Sequence, residues 1–270
     1  MTAWPRRLVL LGHPVAHSLS PRFQNAALRS AKIPVLYEAL DVLPDELDGT
    51  LDALIAERSG GNVTIPYKVR LAARCGRLTP LAERTGAINT FLVTEDGVLI
   101  GDNTDVGGFE KLARDTVAAE PAGMRVALLG AGGGARAVLA AVERWRECTV
   151  ALYNRSAERA AELAAHFSVV TDVHQDADRA VHGAGLVVNA TSVGMTDDRF
   201  PVELEAVPKD AAVVDLVYRS EETAWIRAAR ARGHRAADGF EMLVEQGALA
   251  FEQWFGAPAP REVMRRAIRS

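Results

Sequence analysis

The sequence predicts an α/β protein of two domains, the second of which contains a doubly wound parallel sheet. Short apolar runs alternate with stretches of helical periodicity through both halves of the chain. In the second half one such run, residues 124–129, leads directly into a glycine-rich loop that begins a helix. The length of 270 residues is sufficient for two domains of ordinary size.

The first half predicts alternating strands and helices followed by a hairpin. Ser20 with Pro21 behind it is typical of a helix cap and first turn, and Gly60-Gly61 ends a later helix. The acidic and glycine residues at 95–97 are typical of a hairpin turn. We predict, in chain order, a strand at 8–12, a helix at 21–31, a strand at 35–42, a helix at 43–58, a strand at 62–65 and a hairpin at 88–103.

In the second half, the apolar runs at 186–191 and 213–218 are continuous enough for strands of a parallel sheet covered on both faces. Val138, Val142 and Trp145 repeat at helical spacing after the glycine loop, and an alanine-rich helix runs to His166. We predict strands at 124–130, 148–154, 168–171, 186–191 and 213–218, and a helical tail from 238. The predicted domains are 1–105, completed by helices at 238–270, and 106–237.

Composition excludes several classes of function. The net charge of -4 gives no overall attraction to nucleic acid or anionic lipid. Only two cysteines are present, without metal-ligand spacing, so neither a disulfide framework nor a metal site is expected. The apolar run at 8–11 is too short for a signal peptide, and no stretch approaches the roughly 20 apolar residues of a membrane span. We therefore expect a cytoplasmic protein.

The glycine loop GAGGGA, residues 130–135, predicts a dinucleotide site. Gly130, Gly132 and Ala135 fit the pattern G-x-G-x-x-G/A between a strand and a helix. The first glycine permits a tight turn, the second lets the backbone approach a pyrophosphate, and the small third residue lets helix and strand pack. The alternative is a glycine-rich turn in another α/β fold.

The residues after the next predicted strand favour NADP over NAD. An NAD enzyme would place an acidic residue there for the ribose hydroxyls. This chain instead has Asn154-Arg155-Ser156, with Arg159 one turn later. A guanidinium binds a 2′-phosphate and stacks on adenine, whereas a carboxylate would repel the phosphate. The alternative is that Arg155 is a solvated loop residue.

Polar side chains cluster at the predicted strand ends of the first half, where α/β sheets bind ligands. Each has a structural alternative, such as capping a helix or satisfying the backbone. Lys68 and Asp105 are the one lysine–aspartate combination among them, and together they could guide a proton transfer. The cluster comprises Ser18, Ser20, Asn62, Thr64, Lys68, Asn89, Asn103 and Asp105.

Nine ordered stretches resemble the shikimate dehydrogenase family over nearly the full chain. They read GHPVAHSLSP, NVTIPYK, GAINT, GDNTDVGGF, GAGGGARA, NRSAERA, NATSVGM, DLVY and DGFEMLVEQGALAFEQW. The resemblance implies an α/β substrate domain and a Rossmann-type NADP domain. It also implies reversible NADPH-dependent reduction of 3-dehydroshikimate to shikimate, a late step towards chorismate and the aromatic amino acids.

The resemblance also implies roles for single residues, carried over position by position. Lys68 and Asp105 match the catalytic pair. The matches to substrate-binding positions are Ser18, Ser20, Thr64, Asn89, Asp105, Tyr218 and Gln246. The matches to cofactor-binding positions are Gly130, Ala131, Gly132, Gly133, Gly134, Ala135, Asn154, Arg155, Ser156, Arg159, Thr191, Leu216, Gly239 and Met242.

The chain departs from the common family pattern at a few places, among them Gln24-Asn25, where His-Asn is frequent, and Arg219-Ser220 after DLVY. Two alternatives stay open at this point. One is an NAD-preferring quinate/shikimate dehydrogenase, and the other is a ligand-sensing relative without catalysis. The expected partner is a small-molecule substrate, and the expected assembly is a monomer or homodimer.

Overall fold

The computed structural model describes residues 4–219 and 221–269, so Ser220 lies outside the described residues. The chain divides into two compact units. The first unit runs to Asp105 and resumes at Leu243, and the second unit is Val106–Met242. The elements are β1 (Leu8–Gly12), α1 (Ser20–Ser30), β2 (Tyr37–Asp41), α2 (Leu47–Ala56), β3 (Gly60–Val63), α3 (Lys68–Ala72), β4 (Arg77–Leu78), α4 (Pro80–Thr85), β5 (Thr90–Val93), β6 (Leu99–Asp102), α5 (Asp105–Val117), β7 (Arg125–Leu129), α6 (Gly133–Val142), β8 (Thr149–Tyr153), α7 (Ala157–His166), β9 (Val170–His174), α8 (Ala177–Val181), β10 (Leu186–Asn189), β11 (Ala212–Asp215), α9 (Ala224–Ala231), β12 (Ala236–Ala237), α10 (Phe240–Phe255) and α11 (Arg261–Arg269).

The first unit contains a mixed sheet in the order β2-β1-β3-β5-β6-β4. β1 pairs parallel with β2 and β3, whereas β5 runs antiparallel to β3 and β6. The carboxyl ends of β1, β3 and β6 and the amino end of β5 therefore share one edge of the sheet. The loops that carry the predicted polar cluster leave the sheet at this edge.

Apolar burial fixes this sheet. Every residue of β1 is buried, and Val9 and Leu11 pack with Leu51, Val63 and Phe91 in one core cluster. Burying one such side chain stabilises the fold by about 1.5–3 kcal/mol. The buried apolar side chains thus hold the strands together, while the polar loops lie at one edge of the sheet.

The second unit contains a parallel sheet in the order β12-β11-β10-β7-β8-β9. The order reverses between the neighbouring strands β7 and β10, because β8 lies on one side of β7 and β10 on the other. In open α/β sheets ligands bind outside the carboxyl ends of the strands at such a reversal. The predicted α/β fold with a Rossmann-type second sheet is confirmed.

The structure corrects several predicted bounds. The helix predicted at 43–58 begins only at Leu47, and the strand predicted at 62–65 begins at Gly60. Both glycines that were expected to end a helix are strand residues. A Cβ on Gly61 would lie 2.1 Å from the carbonyl oxygen of Val9, so the close pairing of β3 with β1 requires glycine there.

Two further corrections concern polar residues at element ends. Ser20 was expected to cap α1, but it is the first helical residue, and the capping position is Leu19 without a side-chain bond. The strand predicted at 213–218 stops at Asp215. Oδ1 of Asp215 accepts the backbone N–H of Val217 at 3.0 Å, so that N–H is used in a turn and does not extend the ladder.

Within residues 4–219 and 221–269 no helix combines the length and apolarity that a membrane crossing requires. The same residues contain no group of three or more histidine, cysteine, aspartate or glutamate side chains suited to a metal ion. Cys75 and Cys148 are both free thiols. Burial raises the pKa of the Cys75 thiol to about 11, which makes it a poor nucleophile at neutral pH.

Candidate active site

A lysine and an aspartate form an ion pair at the loop edge of the first sheet. Lys68 begins α3 after β3, and Asp105 begins α5 after β6. Nζ of Lys68 donates to Oδ2 of Asp105 across 2.6 Å. The side chains are 17% and 8% exposed, so water screens this pair less than a surface pair. The structure therefore holds an ammonium in place where it can exchange a proton with a neighbouring group.

Amide side chains complete the surroundings of this carboxylate. Nδ2 of Asn89, just before β5, donates to Oδ1 of Asp105 at 2.8 Å and lies 3.2 Å from Oε1 of Gln246. Oδ1 of Asn89 accepts the backbone N–H of Thr104 at 2.7 Å, which fixes the orientation of the amide. Each oxygen of Asp105 therefore has a donor. The structure brings together four of the predicted site residues: Lys68, Asn89, Asp105 and Gln246.

The serine loop lies at the neighbouring strand end. Oγ of Ser18 accepts the backbone N–H of Ser20 at 3.2 Å. The backbone N–H of His13 donates to the carbonyl of Ile65 at 3.0 Å, which joins the loop after β1 to the loop after β3. Thr64 begins that second loop, so both loops leave the sheet side by side. The hydroxyls of Ser18, Ser20 and Thr64 are thereby carried on two adjoining loops.

Two members of the predicted polar cluster have structural roles instead. Oδ1 of Asn62 accepts from the hydroxyl of Tyr37 at 2.8 Å, and its Nδ2 donates to the carbonyl of Asn89 at 3.1 Å. Nδ2 of Asn103 donates to the carbonyl of Ala87 at 2.9 Å and to Thr85. Both asparagines are buried. Asn62 supports the backbone at Asn89, while Asn103 fixes the end of α4.

In the second unit the glycine loop follows β7 at the strand reversal. Gly130 has φ +117°, and a Cβ there would lie 2.8 Å from the carbonyl oxygen of Ala190. Glycine is therefore required both by the turn and by the neighbouring strand end. Ala135 is fully buried, as expected for the position where the helix packs on the sheet.

The same loop fits a dinucleotide on its open side. Gly132 stands at the amino end of α6 without a side-chain cap, and a Cβ there would meet no atom of the described residues within 4 Å. Gly132 is exposed, so the amino end of α6, where the positive end of the helix dipole lies, is accessible at this residue. Such an end binds a pyrophosphate readily.

The predicted adenosine-phosphate site follows β8. Nδ2 of Asn154 donates to the carbonyl of Ser156 at 2.9 Å, and Oγ of Ser156 accepts the backbone N–H of Arg159 at 3.4 Å. These two residues therefore form the turn and cap α7. Arg155 and Arg159 are exposed, and within the described part of the chain neither is in an ion pair. Their guanidinium groups are available to an anion.

Of the remaining predicted cofactor positions, Thr191 and Leu216 follow β10 and β11, Gly239 follows β12, and Met242 lies in α10. A Cβ on Gly239 would lie 2.3 Å from the carbonyl oxygen of Leu216. A Cβ on Gly134 would lie 3.3 Å from Cδ1 of Leu216. Thr191 follows Ala190, the residue against Gly130. Met242 is buried, in the first turn of α10. Tyr218, predicted on the substrate side, belongs to the second unit, whereas the other predicted substrate residues belong to the first.

Comparisons with known proteins identify the family. Residues 10–91 match the shikimate dehydrogenase substrate binding domain, and residues 239–269 match the shikimate 5'-dehydrogenase C-terminal domain. The NADP-dependent shikimate dehydrogenase of Methylobacterium radiotolerans is 44% identical over 269 residues, covering 96% of this chain and 94% of that protein. The chain belongs to the shikimate dehydrogenase family.

Solved structures of similar proteins agree with this assignment. The shikimate 5-dehydrogenase of Thermus thermophilus, solved with NADP(H) and shikimate, superposes with a TM-score of 0.86 at 39% identity, over 97% of this chain and 98% of that one. The quinate dehydrogenase of Corynebacterium glutamicum, solved with NAD, gives 0.87 at 26% identity, over 97% and 98%. The resemblance stated from the motifs is confirmed.

The structure shows the contacts of two residues that depart from the common shikimate dehydrogenase pattern, Gln24 and Arg219. Gln24 is fully buried, and its Nε2 donates to the carbonyl of Gly247 at 2.9 Å. Arg219 donates to the carbonyl of Asp197 and pairs with Asp198, each at 3.0 Å. Gln24 thus joins α1 to α10 next to Gln246, while Arg219 fixes the loop after β11.

Sequence reasoning missed two buried polar residues at the strand ends of this shikimate dehydrogenase family member. Asn189 ends β10 and Asp215 ends β11, and Nδ2 of Asn189 donates to Oδ1 of Asp215 at 2.8 Å. One signal for them existed in the sequence. Each is a single polar residue that interrupts an apolar strand, in LVVNAT and in VVDLVY.

Proposed function

We propose that this chain is an NADP-dependent shikimate dehydrogenase, which reversibly reduces 3-dehydroshikimate to shikimate on the route to chorismate and the aromatic amino acids. The observation that carries the proposal is the pairing of Lys68 with Asp105 at 2.6 Å beside Asn89 and Gln246. A ligand sensor without catalysis would not need an ammonium aligned for proton transfer. The family relationship gives the substrate and cofactor expected for such a pair.

The two units divide the task in this proposal. The first unit, residues 1–105 with the carboxyl-terminal helices, binds the substrate through hydroxyl and amide groups. The second unit binds NADP at the strand reversal. Support for this division comes from the polar cluster of the first sheet and the open amino end of α6 in the second. The residues proposed to hold the substrate are Ser18, Ser20, Thr64, Asn89, Asp105, Tyr218 and Gln246.

Lys68 is proposed to handle the proton of the reaction. During reduction its ammonium gives a proton to the substrate's carbonyl oxygen as that oxygen becomes a hydroxyl, and in the reverse direction its neutral amine removes the proton. Asp105 holds the amine in place by accepting a hydrogen bond from Nζ of Lys68. Asn89 keeps the carboxylate oriented by donating to its other oxygen. The lysine afterwards exchanges its proton with solvent.

NADP is the proposed cofactor, and it supplies or accepts the hydride when bound. The residues that would hold its pyrophosphate are those of the loop 130–135. Asn154, Arg155, Ser156 and Arg159 would hold the adenosine 2′-phosphate, with exposed guanidinium groups matched to that anion. Thr191, Leu216, Gly239 and Met242 would surround the nicotinamide end.

The working environment and assembly are also proposed. Free Cys75 and Cys148 suit a reducing cytoplasm. The assembly is proposed to be a monomer or a homodimer. Light scattering during size-exclusion chromatography would give a mass of one or two chains, and a larger mass would contradict this.

Steady-state rates with four pairs of substrates test the function. Purified protein is assayed with shikimate or quinate and with NADP or NAD, and kcat/KM is compared. We expect the shikimate and NADP pair to exceed the others by at least about tenfold, because the arginines after β8 have a 2′-phosphate to bind only in NADP. A higher value for NAD with quinate would favour the alternative of a quinate dehydrogenase. No turnover with any pair would favour the ligand sensor.

A further inference from the structure

A buried polar network joins the carboxyl ends of β10 and β11. Asn189 and Asp215 are 0% and 1% exposed. Oδ1 of Asp215 accepts from Nδ2 of Asn189 at 2.8 Å and from the backbone N–H of Val217 at 3.0 Å. Oδ2 of Asp215 accepts from the hydroxyl of Thr223 at 2.9 Å. The carboxylate therefore fixes two strand ends and the start of α9.

Asn189 extends the network into the loop that follows β10. Oδ1 of Asn189 accepts the backbone N–H of Thr191 at 3.0 Å and its hydroxyl at 2.6 Å. Nδ2 of Asn189 also donates to the carbonyl of Val193 at 3.2 Å. The amide of Asn189 therefore helps to fix residues 191–193, together with the bond from the backbone N–H of Val193 to Oγ1 of Thr191 at 3.1 Å. Asp215 in turn orients that amide.

An acidic residue at this place is unfavourable for stability. A buried carboxylate loses its hydration, and the donors to Asp215 are all neutral. Burial raises the pKa of Asp215 to about 6. Asp238 adds a nearby negative charge, and its own pKa is raised chiefly by burial. An apolar residue at the strand end would avoid this cost, whereas the hydrogen bonds of Asp215 connect it to the loops that follow β10 and β11.

We propose that Asp215 is a positioning residue for hydride transfer, because its network fixes the two loops that carry Thr191 and Leu216–Tyr218. The inference rests on the proposed function, in which these loops surround the nicotinamide end of the cofactor. The pyrophosphate and adenosine ends are held elsewhere, by residues 130–135 and 154–159. Loss of the network should therefore impair the reacting end more than overall cofactor affinity, since small misplacement at a reacting centre is costly.

Three variants test the role. Asp215→Ala removes all three bonds. Asp215→Asn keeps an oxygen for Asn189 and Val217, while its amide group can donate to the hydroxyl of Thr223. Asp210→Asn makes the same chemical change at an exposed position of the second unit and serves as the control.

We expect Asp215→Ala to lower kcat per folded molecule by at least about tenfold, while the Kd for NADPH rises less than about threefold. The primary isotope effect on kcat, measured with NADPH deuterated at the transferred position, should increase in this variant because hydride transfer becomes more rate-limiting. Asp215→Asn and Asp210→Asn should remain within about threefold of the wild type in kcat. Wild-type kcat in Asp215→Ala, or equal losses in the alanine and asparagine variants, would overturn the proposal.

Amide hydrogen exchange keeps the inference testable apart from the proposed function. Exchange at residues 190–193 and 216–218 should be faster in Asp215→Ala than in the wild type, whatever substrate the protein uses. Unchanged exchange there would overturn the positioning role, whereas an inactive wild type would overturn only the function. If Asp215→Ala does not fold, Asn189→Ala breaks the same link from the other side and should give the same kcat loss and faster exchange.

Discussion

Each unit buries one carboxylate at the loop edge of its sheet, and the two carboxylates have opposite kinds of partner. Asp105 accepts from the ammonium of Lys68 and from one amide. Among the residues that the structure describes, the donors to Asp215 are an amide, a backbone N–H and a hydroxyl. Both are less than a tenth exposed. Burial alone therefore does not separate these two carboxylates, whereas the charge of their partners does.

The two carboxylates also differ in whether a ligand can reach the groups around them. Lys68 retains 17% exposure, so a substrate could reach its ammonium. Asp215 is enclosed by donors of its own unit, so it acts on a ligand only through the loops that it holds. We expect loss of the Lys68–Asp105 pair to remove proton-transfer catalysis, and loss of the Asp215 network to displace the loops around the reacting end of the cofactor.

The largest expected effect is that of Lys68→Ala. Removing the ammonium should lower kcat by about a hundredfold to ten-thousandfold, the usual range for general acid–base catalysis, with little change in the Kd for NADPH. Lys111→Ala is the matched control, because Lys111 forms an exposed pair with Asp115 on α5. Stopped-flow or steady-state assays on both variants would check this. Wild-type kcat in Lys68→Ala would contradict the role assigned to the pair.

The pH dependence of stability gives the next largest effect. Burial raises the pKa of Asp215 from 3.8 to about 6. Between these two pH values the carboxyl group is mostly protonated in the folded protein and mostly ionised in the unfolded chain. The free energy of unfolding should therefore fall as pH rises from about 4 to 6. Asparagine does not titrate, so Asp215→Asn should gain up to roughly 3 kcal/mol relative to the wild type across this range, at about 1.4 kcal/mol per pKa unit.

Urea unfolding at pH 4.5 and pH 7.5 would measure this gain. Asp210→Asn should show no such pH-dependent difference, because Asp210 is exposed. If the free energies of unfolding of Asp215→Asn and the wild type differed by the same amount at both pH values, burial would not raise the pKa of this carboxyl group.

The sequence predicted the glycine loop of the second unit and one of the two buried carboxylates, Asp105. The run 124–129 followed by GAGGGA predicted β7, the turn and α6, because apolar periodicity and glycine spacing are local signals. Lys68 and Asp105 were predicted as a pair from residue types at strand ends. Their 2.6 Å contact could not be derived from local pattern, since it joins residues 37 positions apart.

Asp215 was missed for a physical reason. A polar residue within an apolar run was taken as part of a longer strand, yet its side chain bonds the backbone N–H two residues later and ends that strand. Local propensity does not show which backbone groups a side chain will bind. The same limitation explains Gly60 and Gly61, whose role depends on the approach of β1 and not on their own flexibility.

A smaller effect is expected at the glycine loop, where backbone groups rather than charged side chains would meet the ligand. Gly132→Ala places a methyl group on the open side of α6 without touching the protein. The Kd for NADPH should rise by about tenfold, because the backbone can no longer approach the pyrophosphate, while Tm changes little. Gly49→Ala should leave the Kd unchanged, because a Cβ on Gly49 would also meet no atom within 4 Å in the part of the chain that the structure describes. Isothermal titration would check both, and an unchanged Kd in Gly132→Ala would exclude the proposed cofactor orientation.

The smallest expected effect concerns an ion pair that supports the first unit without entering its chemistry. Arg261, at the start of α11, donates through Nε and Nη2 to both carboxylate oxygens of Glu245 at 2.9 and 2.8 Å, and through Nη1 to Glu252 at 2.6 Å. Arg261 also holds the pKa of Glu252 below its usual value by hydrogen bonding. Lysine has one point charge and cannot form this fork.

Arg261→Lys should therefore lower the free energy of unfolding by about 1 kcal/mol, mainly through the largely buried Glu245. Arg114→Lys, whose partner Glu120 is 77% exposed, should cost less than about 0.5 kcal/mol. Urea titrations at neutral pH would separate the two values. Because Glu245 precedes Gln246 on α10, a KM for shikimate that rises while kcat stays constant would show that this ion pair also supports substrate binding. Equal costs for the two arginine variants would instead mean that the fork contributes no more than a surface pair.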